Sequence, residues 1–224
     1  MKMKAIDSRT MKQIEERASQ LGVSRLLMME NAGKAVAQAV LRFFDEHLKP
    51  KVLVVAGTGN NGGDGAAAAR HLAGRADVSV LLLGGTEKVK AEEASLQWRI
   101  LKEVEGIRFV EAKDEASLNA SKSLFAEADV IVDAIFGTGI KGHPGGLHGM
   151  AMKMINESSA MKVAVDIPSG LDPDTGQDNG LVVKADVTVT LHAAKEGLLK
   201  REDVVGLLLV EGIGVPNFSF QRNR

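Results

Sequence analysis

The chain has 224 residues, 45% hydrophobic and 25% charged, and its 28 Lys+Arg offset 29 Asp+Glu to a net charge of −1. A chain of this size buries about 70–75% of its unfolded surface and forms a full core unaided, which excludes large-scale disorder. The near-zero charge excludes a basic nucleic-acid face, the lack of cysteine excludes disulfides, thiol nucleophiles and cysteine zinc sites, and no run of about 18 apolar residues is present to span a membrane.

At the N-terminus, Met1-Lys2-Met3-Lys4 runs into Asp7, Lys12, Glu15, Glu16 and Arg17 instead of an apolar region, so no secretory leader is expected and a cytoplasmic setting fits. Two helices follow, over 8–21 and 24–44. In the second, Leu27, Met28, Ala32, Val36, Ala39, Val40 and Phe43 recur at i, i+3, i+4 spacing, which predicts a face packed on the core, with a dimer face as the other reading. Glu30 and Asn31 sit beside that stripe and either hydrogen-bond locally or line a pocket. Beyond them, continuous apolar runs at 52–56, 78–83, 130–136, 163–165 and 187–191 read as strands covered on both faces, with weaker candidates at 107–110 and 207–210. Helical patterns lie between them at 63–74, at 87–104 with Thr86 as cap, at 115–128 with Asp114 as cap, and at 147–159. This alternation predicts one α/β domain over 1–224, a doubly wound, mainly parallel sheet with helices on both faces, in three layers.

Ligands of such a sheet bind beyond the carboxyl ends of its strands. The first strand leads into Gly57-Thr58-Gly59-Asn60-Asn61-Gly62-Gly63-Asp64-Gly65, and the third into Asp133 and Gly137-Thr138-Gly139-Ile140-Lys141-Gly142-His143. The next two lead into Asp166-Ile167-Pro168-Ser169-Gly170-Leu171-Asp172 and His192-Ala193-Ala194-Lys195. Gly57, Gly59 and Gly62 satisfy G-x-G-x-x-G between a strand and a helix. Two features argue against an ordinary dinucleotide dehydrogenase. The second strand ends in Leu83-Gly84-Gly85 with no acid for a ribose hydroxyl, and Asp64 puts a carboxylate at the start of the helix, where it competes with a pyrophosphate for terminal N–H groups. A plain glycine turn with Asp64 as helix cap is the alternative. Asp133 and Asp166 end buried strands, where an unpaired carboxylate is costly, so each needs a partner. No arginine accompanies either motif; a cation held by hard oxygens such as those of Asn61 and Ser169 is one answer, and capping of the following turn is the other. His143 and His192 are not spaced as metal ligands, His71 reads as a packing residue, and Ser169 in Pro-Ser-Gly lacks a neighbouring histidine for a serine hydrolase.

Residues 54–72 (VVAGTGNNGGDGAAAARHL), 132–139 (VDAIFGTG) and 165–176 (VDIPSGLDPDTG), preceded by 28–37 (MMENAGKAVA), resemble the YjeF N-terminal domain family, the NAD(P)H-hydrate epimerases, over nearly the whole chain. The resemblance implies a Rossmann-like fold, usually a homodimer, that interconverts the R and S epimers of C6-hydrated NADH or NADPH. It also implies an ATP- or ADP-dependent dehydratase as partner, expected either as a separate protein or as the other part of a bifunctional chain from which this one is cut. It assigns substrate binding to Asn60, Asn61, Gly62, Gly63 and Asp64 and to Gly137, Thr138, Gly139, Ile140, Lys141, Gly142 and His143. By the same likeness Asn61, Asp133 and Ser169 hold a potassium ion, and Asp166 sits on the substrate near the reacting ring. Asp166 is the candidate acid/base, with Lys195 second. Two rivals stand beside this: a conventional Rossmann enzyme using NAD or S-adenosylmethionine, and a non-catalytic binding module, since vertebrate relatives are described as binding apolipoprotein A-I.

Overall fold

A two-residue strand, β1 (Ala5–Ile6), precedes helices α1 (Ser8–Gln20) and α2 (Arg25–Leu41) in the computed structural model, which describes residues 5–45, 47–139, 144–178 and 180–216. Both helices start where a side chain caps them: Asp7 accepts from the Thr10 N–H at 2.6 Å and Ser24 from the Leu27 N–H at 3.3 Å. There follow β2 (Lys51–Ala56), α3 (Asn60–Leu72), β3 (Asp77–Leu83), α4 (Glu92–Lys102), β4 (Arg108–Ala112), α5 (Glu115–Ala120), α6 (Lys122–Glu127) and β5 (Val130–Ala134). The chain continues through α7 (Gly146–Glu157), β6 (Met161–Val165), β7 (Val187–Leu191), β8 (Ala194–Lys195), α8 (Glu202–Val205) and β9 (Leu207–Glu211).

Seven strands form a parallel sheet in the order β4-β3-β2-β5-β6-β7-β9, and β1 pairs with β8 in a separate parallel pair. Strand residues alternate between two apolar layers. Val52, Val54, Val130 and Val132 face α2, α3 and α4, packing on Val36, Val40, Ala66, Leu72 and Trp98. Leu53, Val55, Leu81 and Ile131 face the other way, onto Leu118 of α5, Leu124 and Phe125 of α6, and Met152 and Ile155 of α7. Burial on both sides explains why the strands read as unbroken apolar runs. The strand order reverses direction between β2 and β5, so a crevice opens beyond their carboxyl ends.

Several predicted elements shift, each for a local reason. The 130–136 run stops at Ala134 because the next two N–H groups leave the ladder, that of Ile135 for Asp133 (3.2 Å) and that of Phe136 for the Ser169 hydroxyl (2.9 Å). The 87–104 helix begins only at Glu92; Thr86 is no cap, because its N–H and hydroxyl both donate to Glu111, at 3.0 and 2.9 Å. Asp114 does cap α5, in a reciprocal box with Ser117, but the helix breaks at Ser121 before α6. On α2, Met28, Ala32, Val36, Ala39 and Val40 are buried, whereas Leu27 at one end and Phe43 beyond the other are exposed. Glu30 does not line the cleft: it pairs with Arg70, meets His71 at 2.8 Å and accepts from Gln97 at 3.2 Å, pinning α2 to α3 and α4. Asn31 donates to the Ile213 carbonyl at 3.1 Å.

Candidate active site

The crevice is a cleft of about 490 Å³ built from the ends of β2, β5, β6 and β7 and roofed by α1. From β2, the chain turns tightly through Gly57-Thr58-Gly59 and enters α3 three residues earlier than predicted, at Asn60. Asn60, Asn61, Gly62, Gly63 and Asp64 are therefore the first turns of a helix and not a loop. The turn depends on bare backbone: a Cβ on Gly62 would overlap the Gly57 carbonyl oxygen, and one on Gly57 would overlap that of Ile135. This contact joins the loop after β2 to the loop after β5.

Asp64 corrects the sequence reading. Gly59 occupies the N-cap position, and Asp64 lies in the second turn, beyond the N–H groups it was expected to satisfy. Its carboxyl lines the cleft, where burial first, and then the charges of Asp166 and Glu15, push its pKa well up, partly opposed by Lys195. Glu15, on α1, was not singled out as a site residue. It too lines the cleft, raised by burial and by Asp166. The signal was available: Glu15 stands four residues after buried Met11, beside buried Ile14 and Ala18, and so is a carboxylate on the apolar face of α1.

Asp166 follows β6 in a left-handed conformation (φ 64°), closed by the Ile167 N–H to the Val165 carbonyl at 2.8 Å. His192, after β7, repeats the device, with φ 65° and the Ala193 N–H on the Leu191 carbonyl at 2.8 Å. Such tight three-residue turns are strained for a residue with a Cβ, and at Asp166 the strain aims a carboxylate into the cleft. Its Oδ1 accepts from the Leu191 N–H (3.0 Å) and the Thr190 hydroxyl (3.2 Å), and it pairs with the Lys195 ammonium. Lys195 is wholly buried and also donates to the Leu191 carbonyl (2.9 Å) and the Thr190 hydroxyl (3.2 Å). The partner that Asp166 required is thus a lysine of the chain, fixed by the short β1–β8 pairing that no apolar run announced.

Asp133 is completely buried at the end of β5, with the Ser169 N–H on one oxygen at 2.8 Å and the Ser169 hydroxyl on the other at 2.6 Å. The Ile135 N–H adds a third donor. Desolvation still pushes its carboxyl up to about 6, against the pull of those donors. No cationic side chain touches it among the described residues. Asn61 stands against Gly137, the residue after Phe136, and its buried amide nitrogen has no partner among the described residues. Gly137, Thr138 and Gly139 line the cleft; Ile140, Lys141, Gly142 and His143 lie outside the described residues. At its mouth Phe136 stacks on His148, centroids 5.0 Å apart, another lining residue that sequence did not single out; its pKa is lowered by burial and then by Lys88.

Residues 25–197 match the family described as YjeF-related protein N-terminus. The chain is 46% identical to a protein of Cenarchaeum symbiosum named NAD(P)H-hydrate epimerase, over 94% of this chain and 95% of that one. It is 40% identical to one of the same name from Nitrosopumilus maritimus, over 91% and 92%. It is 45% identical to the bifunctional NAD(P)H-hydrate repair enzyme Nnr of Archaeoglobus fulgidus, over 98% of this chain but 43% of that longer protein. The fold matches the crystal structure of yeast ynu0, YNL200c, with a TM-score of 0.76 and 25% identity over 99% and 98% of the two chains.

Proposed function

The chain belongs to the YjeF-related protein N-terminus family, and from that membership we infer that it is an NAD(P)H-hydrate epimerase, interconverting the R and S epimers of C6-hydrated NADH and NADPH. The observation that carries the reading is the convergence of Glu15, Asp64 and Asp166 on one cleft at the switch point of a nucleotide-binding type of sheet. Moving water on and off a ring carbon needs proton donors and acceptors beside it, and these carboxyls supply them.

In the reaction, the C6 hydroxyl takes a proton and leaves as water, the ring nitrogen's electron pair forming a conjugated iminium. Water then adds from the opposite face and gives up a proton. Glu15 and Asp64, raised by burial, are suited to give the first proton. Asp166, held by Lys195 and the Leu191 N–H, is suited to take the second, and the roles reverse for the opposite epimer. Carboxylates facing the ring also stabilise the developing cation.

Asn61, Asp133 and Ser169 fit a potassium ion. Among the described residues, a fully buried carboxylate without a cationic neighbour, a hydroxyl beside it, and a buried amide with an unpartnered end form a hard-oxygen donor set once the amide oxygen faces the ion. When bound, the ion supplies fixed positive charge that holds Asp133 ionised and ties the loops after β2, β5 and β6 together. The functional partner in this reading is an ATP- or ADP-dependent dehydratase that consumes the S epimer.

The test is to give the protein the purified R epimer of hydrated NADH and follow S by chromatography. Interconversion well above the spontaneous rate without ATP is expected. Equal rates with and without protein overturn the reading, and an ATP requirement makes it a dehydratase instead.

A further inference from the structure

Beyond Asn60 and Asp64 the cleft opens into a second lobe of about 580 Å³, walled by α1, by the first half of α2 and by Thr138 and Gly139. Its floor is apolar, made of Met28, Met29, Ala32 and Ile213, and its rim carries Arg9, Lys12 and Arg25. Lys12 reaches Glu16 at 4.0 Å and the Arg25 charge acts on Glu15 within the lobe, while neither Arg9 nor Arg25 makes a side-chain hydrogen bond among the described residues. The carboxyls in the same lobe are those of Glu15, Asp64 and Glu93, and burial holds the first two toward their neutral forms. An apolar, methionine-lined floor with guanidinium groups on its rim suits one nucleotide: sulfur against a purine face, and planar cations on phosphate oxygens. A site for one drug-sized ligand occupies about 300–1,000 Å³, so each lobe suits one half of a dinucleotide, and the lobes meet along Thr138 and Gly139.

We propose that this second lobe binds the adenylate half of the hydrated dinucleotide, its base on Met28 and Met29 and its phosphate oxygens on Arg9 and Arg25. The proposal rests on the epimerase reading, which places the nicotinamide half in the first lobe. Both arginines are exposed, so Arg9→Ala/Arg25→Ala is expected to fold as the parent does. The readout is the ratio of kcat/KM for hydrated NADH and NADPH to kcat/KM for hydrated nicotinamide mononucleotide, which has no adenylate half.

The double variant is expected to lower that ratio about 10- to 100-fold, through KM with kcat retained. Lys34→Ala/Lys153→Ala, which removes equal charge outside both lobes, should leave the ratio in place. An unchanged ratio in the arginine variant, or an equal fall in the lysine variant, overturns the subsite and leaves the epimerase standing. Wild-type protein that speeds neither the mononucleotide nor the dinucleotide hydrate overturns the epimerase reading, and this proposal with it.

Discussion

Asp166 and Lys195 combine two expensive features, a side chain in a strained left-handed turn and an ammonium with no solvent exposure. A buried pair of this kind adds little net stability, yet removing one member leaves the other uncompensated. Asp166→Asn and Lys195→Met are each expected to lower the unfolding free energy by about 3–5 kcal/mol, and the double variant to lose clearly less than the sum. Urea denaturation of all four proteins measures this, and strict additivity would show that the pair is uncoupled. Turnover separates the two residues. Asp166→Asn keeps the acceptor for the Leu191 N–H but no longer titrates, so substrate should still bind while kcat falls by about 10²–10⁴-fold. Normal turnover with binding confirmed would move the proton transfer to Glu15 or Asp64, the other carboxyls in the cleft.

At the scale of elements, what could be read from the sequence was whatever burial imposes repeatedly. The strand at 187–191 was predicted to the residue, because Val187 to Leu191 are covered on both faces. Asp133, Asp166 and the glycine turn were legible because a polar residue at the end of an apolar run calls for an explanation. Glu15 was only half legible: a carboxylate on the apolar face of α1 signals burial, but what it faces is decided by α1 folding over a crevice made by strands far along the chain. The start of α3 was misjudged for a similar reason: asparagine and glycine are poor helix formers, and contact with the loop after β5 outweighs that preference. Gly62→Ala tests that contact. Although alanine is the better helix former, its Cβ would meet the Gly57 carbonyl, so stability should fall by about 1–3 kcal/mol, with turnover lost as the loop shifts. Gly59→Ala, with open space around its Cβ, should cost no more than the loss of a glycine N-cap, about 1 kcal/mol or less, and should keep turnover. Equal effects at the two positions would disprove the close approach.

Across the whole molecule, the buried carboxyl of Asp133 joins the loops after β5 and β6 through the donors of Ile135 and Ser169, and its raised pKa ties stability to pH. With its carboxyl raised from an ordinary 3.8 to about 6, Asp133 holds a proton more tightly folded than unfolded. Its contribution is therefore fully present below about pH 4 and is lost as pH rises through 6, a loss of about 3 kcal/mol at 1.36 kcal/mol per pH unit. A potassium ion bound beside it, as proposed, would favour the ionised form and reverse the loss. Glu15 and Asp64 are raised as well, so the full pH profile mixes several groups, and the informative quantity is the stability in potassium chloride minus that in tetramethylammonium chloride at equal ionic strength. That difference should be small at pH 5, where protons compete for Asp133, and should grow through pH 6 to a plateau near pH 8. Asp133→Asn should abolish it at every pH, because the variant has no charge for the ion to neutralise. A difference that is absent, independent of pH, or kept in Asp133→Asn would remove potassium from Asn61, Asp133 and Ser169. The buried carboxylate would then be held by the donors of Ser169 and Ile135 alone.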